Sequence, residues 1–408
     1  MLATLTLLAV ILAAYLLAHV VFDRLQNRFL LTTGGEYILL GVLIGPHMPW
    51  KALVSHQTLT QLYPILSLAI GWFGLLCGMQ FDVRRLLTDH SGAPRLAFVQ
   101  GLAVFGAVAL LSWLVFETGW PAYMPDSERA MASVALGATA AVSNSAALSL
   151  VQRQISAKGT LTTLLGRTQR LEEAVGLLGF GLLFCIFHPT YDSMERPLTP
   201  TEWFAVSLGI GIGLGYLFAI FLGDESDDDK LFLALVGIIV FAAGLAQHLQ
   251  LSSLVVNFVL GATLANASRH GDSLRAVLDR TRQPMTHVLL IFAGAMWAGM
   301  TGFEVILAAG YILVRFAMKV FGGAVGALAV GPEVRRDVGL GLLGHGELAV
   351  AMAINLHLVY DAPFVRWLYG AVMVSVLMSE LWGARALRGL LLDAGEVRHS
   401  RSVAEDAQ

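Results

Sequence analysis

Thirteen stretches of mostly apolar residues, each near the length of a bilayer-crossing helix, follow one another along the 408 residues. They fall at 2–22, 33–48, 62–81, 96–117, 129–152, 161–188, 203–223, 231–248, 252–268, 284–301, 304–328, 336–359 and 364–384. A crossing helix needs about 20 predominantly apolar residues, so the pattern predicts an all-α polytopic membrane protein. Composition agrees, with 56% hydrophobic and 13% charged residues, where a soluble domain carries about 25% charged residues. A soluble enzyme and a disordered chain are both excluded. The formal net charge of −3 leaves no nucleic-acid footprint. Cys77 and Cys185 sit in apolar runs and give neither a disulfide framework nor a metal spacing.

The short stretch 33–48 contains Gly41, Gly45 and Pro46, which predicts an irregular segment. Residues 231–268 carry no charge, and the polar step from His248 to Ser253 divides them into two spans. The first stretch lacks the basic start of a signal peptide and reads as a retained helix. With the N-terminus outside and thirteen crossings, the inside loops and the C-terminal tail hold most of the 26 Lys and Arg. The outside loops then hold only Lys51, Arg129, Arg196 and Arg366. This every-other-loop asymmetry follows the positive-inside rule. It predicts a multi-pass protein of a bacterial inner membrane with a cytoplasmic C-terminus. The acidic loop 223–230 reads as a solvated loop or as a cation-attracting rim. A single transmembrane domain, 1–392, and a short cytoplasmic tail, 393–408, complete the expected organisation.

Charge inside a bilayer is costly, so an ionisable residue at depth is a functional candidate. The span 161–188 carries Arg167, Arg170, Glu172 and Glu173. Adjacent Glu172 and Glu173 point about 100° apart on a helix. Arg170 and Glu173 have the spacing of an i, i+3 pair. Arg315 and Lys319 share one face of the span 304–328 and need an anion, which Glu172 and Glu173 can supply. Glu36, His345 and Glu347 also lie within spans, and Glu304 and Glu380 lie at span ends. The span 129–152 contains a run of small and hydroxyl residues, Ala135 to Leu148, with Thr139, Ser143, Asn144 and Ser145. Such a run packs helices closely or marks a locally unwound helix whose oxygens bind a cation. A comparable break, Gly341 to Ala349, includes Gly344, His345 and Glu347. Interrupted helices in corresponding places of two halves predict an inverted repeat with two crossed, broken helices.

These residues resemble the monovalent cation/proton antiporter superfamily, which has the sodium/hydrogen exchanger fold. Gly35 to Pro46 is similar to its early Gly-rich segment ending in Gly-Pro. Phe73 to Asp82 resembles its third-helix pattern, and Asn257 to Gly261 its FxxG step. Phe292 to Met296 lies where the family has a Phe-Phe…Gly pattern, and Gly344 to Val350 resembles its Gly-Gly-Glu-Phe stretch. The resemblance covers roughly residues 5–390. It implies that Glu173 takes the family's ion-binding position and Glu172 that of its neighbour. It further implies that Lys319, with Arg315 as the fallback, is the charge partner. Ser143-Asn144-Ser145 occupies the first broken helix without the family's proline or acid.

The expected activity is exchange of Na⁺, K⁺ or Li⁺ for H⁺ by competition at Glu173, aided by oxygens of Ser143, Asn144 and Thr139. No cofactor is expected, the substrates being the cation and the proton. The expected assembly is a homodimer working by alternating access. Two other readings stay open: an ion-coupled symporter whose Arg315 and Lys319 bind an organic anion, and a non-transporting membrane sensor. An intramembrane metalloenzyme is disfavoured, because no second His stands at a zinc spacing from His345 and Glu347.

Overall fold

The computed structural model describes residues 34–47, 54–89, 91–120, 123–189, 197–222, 225, 227–268 and 271–396. Among these residues the chain is helical and has no strands. In chain order the helices are α1 (Gly35–Ile44), α2 (His56–Gln61), α3 (Tyr63–Gly78), α4 (Val83–Leu87) and α5 (Ala93–Glu117). Next come α6 (Asp126–Ala141), α7 (Ser145–Ile155), α8 (Thr160–Ile186), α9 (Pro200–Leu222), α10 (Asp228–His248) and α11 (Ser253–Ala267). Then follow α12 (Gly271–Met296), α13 (Gly302–Val330), a 3₁₀ turn (Val338–Leu342), α14 (Glu347–Val359) and α15 (Pro363–Asp393). The predicted stretch 2–22 lies outside the described residues. The other predicted spans each coincide with a helix or a broken helix.

Three local expectations are corrected. The segment 33–48 contains a regular ten-residue helix that ends at Gly45. Its glycine serves packing: a Cβ on Gly41 would lie 2.1 Å from the Ile291 carbonyl oxygen, and one on Gly294 2.0 Å from that of Ile38. Helix α12 begins well before residue 284 and carries Pro284 inside it, so Arg275, Arg280 and Arg282 are helical rather than loop residues. Helix α15 runs 31 residues, which places Glu380 within a helix and buried, where it accepts from Gly35 N at 2.8 Å.

The packing follows an inverted repeat. Helices α1 and α12 cross at Gly41 and Gly294, and α3 and α11 cross at Gly74, Gly78 and Gly261. Small residues let helix backbones meet this closely. These two crossings exchange with each other when each predicted span is matched to the span seven places on. The same matching pairs the broken helix α6–α7 with the 3₁₀ turn and α14. The helices sort into two bodies. One is built from α1, α3 and α9–α12, the other from α5–α8 and α13–α15 around the two breaks.

Six membrane-length apolar segments are present among the described residues, counting α6–α7 as one. Their outward faces are apolar: Phe98, Leu102 and Leu110 on α5, Ile220 and Phe221 on α9, Leu313 and Leu328 on α13 are all exposed. This is the arrangement of a multi-pass protein whose solvent is lipid. At the far end of the chain, Glu396 accepts from Leu161 N (2.6 Å) and Thr162 N (2.8 Å). A carboxylate at a helix N-terminus satisfies orphan N–H groups and opposes the helix dipole. The start of α8 is thereby tied to the residues after α15.

Candidate functional site

The first break arises without proline. Helix α6 ends at Ala141, and Val142 and Asn144 are extended. The Asn144 Oδ1 then accepts from Ala146 N (2.9 Å) and Ala147 N (3.4 Å), starting α7 as an N-cap. The second break lies between the 3₁₀ turn and α14. The two breaks cross where Asn144 N donates to the Gly344 carbonyl at 3.2 Å. A Cβ at Gly346 would lie 2.7 Å from Asn144 Cγ, so glycine lets the second break reach the first.

A broken helix leaves carbonyls without intrahelical partners. Here two cations from α13 answer them. Arg315, 4% exposed, donates to the carbonyls of Ala140 (3.2 Å), Val142 (2.9 Å), Leu343 (2.8 Å) and Gly344 (2.9 Å). One guanidinium therefore stitches both breaks together. Lys319, fully buried, donates to the Ala141 carbonyl, the Ser143 hydroxyl and Glu172 Oε2, each at 2.8 Å. Ser143 also reaches the Glu172 carboxylate and the Leu342 carbonyl. Gln100 donates to the Lys319 carbonyl (3.2 Å), and Gln169 to that of Gly341 (3.0 Å).

The adjacent carboxylates have different surroundings. Glu172 forms an ion pair with Lys319 in which both side chains are wholly buried. Glu173, 5% exposed, has no Lys or Arg within ion-pair distance among the described residues. Its Oε2 accepts from the Cys77 thiol of α3 at 3.7 Å, and Ser145 at the start of α7 lies beside it. Glu347, at the start of α14, pairs with Arg282 of α12 at 2.6 Å. This pair joins the two bodies close to Glu173.

The expected residues divide accordingly. Glu172, Lys319, Ser143 and Asn144 converge at the crossing, with Glu173 next to them. Arg315 is present but is held by carbonyls, so its expected carboxylate partner is corrected to backbone. Arg170 is exposed and forms no ion pair with Glu173, which corrects the i, i+3 pairing. Thr139 makes no hydrogen bond to Glu173. Its hydroxyl donates to the carbonyls of Ala135 and Leu136 and lies 3.2 Å from the Tyr311 hydroxyl. His345 Nε2 donates to the Thr139 carbonyl (3.0 Å), and its Nδ1 faces the Ser375 hydroxyl (3.0 Å), so His345 fixes the second break against α6 and α15. Cys77, Ser145 and Arg282 around Glu173, and Gln100, Gln169 and Tyr311 around the breaks, were not expected among the site residues.

The family model described as sodium/hydrogen exchanger, transmembrane, matches residues 4–387. Among solved structures, the chain is similar to that of the sodium proton antiporter MjNhaP1 from Methanocaldococcus jannaschii at pH 8, at 13% identity and a TM-score of 0.66, covering 96% of this chain and 99% of that one. It is also similar to an electron-microscopy structure of MjNhaP1, at 14% identity and a TM-score of 0.65, with 97% and 99% covered. No curated protein matches. The structural likeness concerns the fold, and the family model spans nearly the whole chain. The family is one of membrane transporters rather than enzymes. The chain is a member of the sodium/hydrogen exchanger family.

Proposed function

We propose that the protein exchanges Na⁺ or K⁺ for H⁺ across the membrane by competition at Glu173. One observation carries this reading. Of two adjacent buried carboxylates, Glu172 is neutralised by Lys319, while among the described residues Glu173 has no Lys or Arg at ion-pair distance and Arg282 acts on it only from farther off. A lone carboxylate in a low-dielectric site needs a positive charge or a proton. Either ligand neutralises Glu173, and the two exclude each other. Ser145, Ser143 and Asn144 supply oxygens close to the same crossing.

Transport by alternating access requires one body to move against the other. The two helix bodies support this, with the Arg282–Glu347 pair spanning their contact. The charge bias of the loops supports a cytoplasmic C-terminus in a bacterial inner membrane, and the family resemblance supports a homodimer. The description of MjNhaP1 as a sodium proton antiporter supports Na⁺ as one substrate. The symporter reading has less support, because Arg315 and Lys319 spend their donors on four carbonyls and on a carbonyl, a hydroxyl and Glu172.

The test uses proteoliposomes with a preset pH gradient and a pH-sensitive dye. Na⁺, K⁺ and Li⁺ are added one at a time. Dye recovery with Na⁺ or K⁺ is expected. A flat trace with every cation from about pH 6 to 9, which spans ordinary perturbed-carboxyl behaviour, contradicts the proposal and favours the sensor reading.

A further inference from the structure

A second cluster lies apart from the crossing, at the α4 end of the contact between the two bodies. A cavity of about 520 Å³ is lined there by Arg167 and Arg170 of α8, Arg275 of α12, and Gln80, Thr88 and Ser91. Asp82 and Asp89 also face it. Asp89 is committed: it accepts from Arg167 at 2.9 Å and from Ser91 N at 2.8 Å. Arg170 and Arg275 have no carboxylate within ion-pair distance among the described residues. The guanidinium of Arg275 acts on Arg170 with like charge, and so does Arg282, against the opposing pull of Glu173 and Asp279.

Two guanidinium groups lining one cavity, with the Gln80 amide and the Ser91 hydroxyl beside them, form a donor set for tetrahedral oxyanions. Arginine presents planar, paired N–H groups that match phosphate oxygens two at a time. Arg170 stands one helical turn before Glu173, so charge placed there reaches the exchange carboxylate through a short distance.

We propose that Arg170 and Arg275 form a binding site for a phosphate-bearing anion, supplied either as a free solute or as an anionic lipid headgroup. The proposal stands on the cavity and its side chains, and its readout is binding, so it holds or fails independently of cation exchange.

The experiment uses the full chain in two arms. In a neutral detergent, after lipid removal, inorganic phosphate and pyrophosphate are titrated by calorimetry against chloride at equal ionic strength. In nanodiscs of phosphatidylcholine with or without phosphatidylglycerol, native mass spectrometry counts the retained anionic lipid. Saturable binding is expected in at least one arm. Arg275→Gln weakens it by about tenfold or more, the scale of a lost charge-assisted pair. Arg275→Lys, which keeps the charge but loses the fork, restores part of it, and Arg388→Gln leaves it unchanged. Binding in the detergent arm alone identifies a free anion, and binding in the nanodisc arm alone identifies a headgroup. Absence of saturable binding in both arms, or equal binding by the wild type and both Arg275 variants, overturns the proposal.

Discussion

At the scale of single residues, the site separates two carboxylates that share a helix turn. Glu172 and Lys319 are a closed pair, both wholly buried, with Ser143 between them. Breaking such a pair strands a buried charge, whereas removing both charges avoids that cost. Glu172→Gln is therefore expected to destabilise the protein by about 3–5 kcal/mol. The double variant Glu172→Gln with Lys319→Met should recover much of the loss. Thermal unfolding in detergent measures both, and equal loss in the single and double variants would show that the pair adds nothing as a pair. The carboxylates and Lys319 were legible in the sequence because charge within an apolar span is rare enough to stand out. Arg170 misled for the same reason: its spacing matched Glu173, but its side chain faces the cavity near Arg275.

At the scale of elements, the crossing rests on two devices, a cap and a stitch. Asn144 begins α7, and Arg315 satisfies carbonyls on both breaks. Asn144→Ala should cost about 1 kcal/mol, the usual value of an N-cap. Arg315→Lys should cost more, since an ammonium cannot replace a guanidinium fork on four acceptors. Unfolding midpoints rank the two, and the reverse order would contradict the stitching role. The broken helices were legible as runs of small residues, but the partner of Arg315 was not. Backbone carbonyls carry no signature in a sequence, and only the fold shows which ones a break leaves open. Arg282 was missed for a related reason. It precedes Pro284 in a polar stretch that reads as loop, although α12 extends through it.

At the scale of the whole molecule, an inverted repeat sets two bodies side by side, and Arg282 with Glu347 bridges them beside Glu173. If exchange requires the bodies to move, fixing this contact must stop it. A chain with Arg282→Cys and Glu347→Cys, joined by a short bis-maleimide in a background with Cys77→Ser and Cys185→Ser, should lose exchange. The same chain treated with a monofunctional maleimide should keep more of it. Undiminished exchange in the cross-linked chain would contradict relative motion at this contact. Among the described residues, the order of the spans was legible from hydropathy. The grouping into bodies was not, because it depends on glycine contacts between helices distant in sequence, such as Gly41 with Gly294.

The central claim is that Glu173, and not its neighbour, is the exchanging carboxylate. Uptake of labelled Na⁺ into proteoliposomes with an outward proton gradient tests it most directly, comparing the wild type with Glu173→Gln. The predicted result is uptake by the wild type and none above empty liposomes for Glu173→Gln, with both proteins monodisperse and equally incorporated. Uptake by Glu173→Gln at the wild-type rate, abolished by the proton carrier that collapses the gradient, would contradict it.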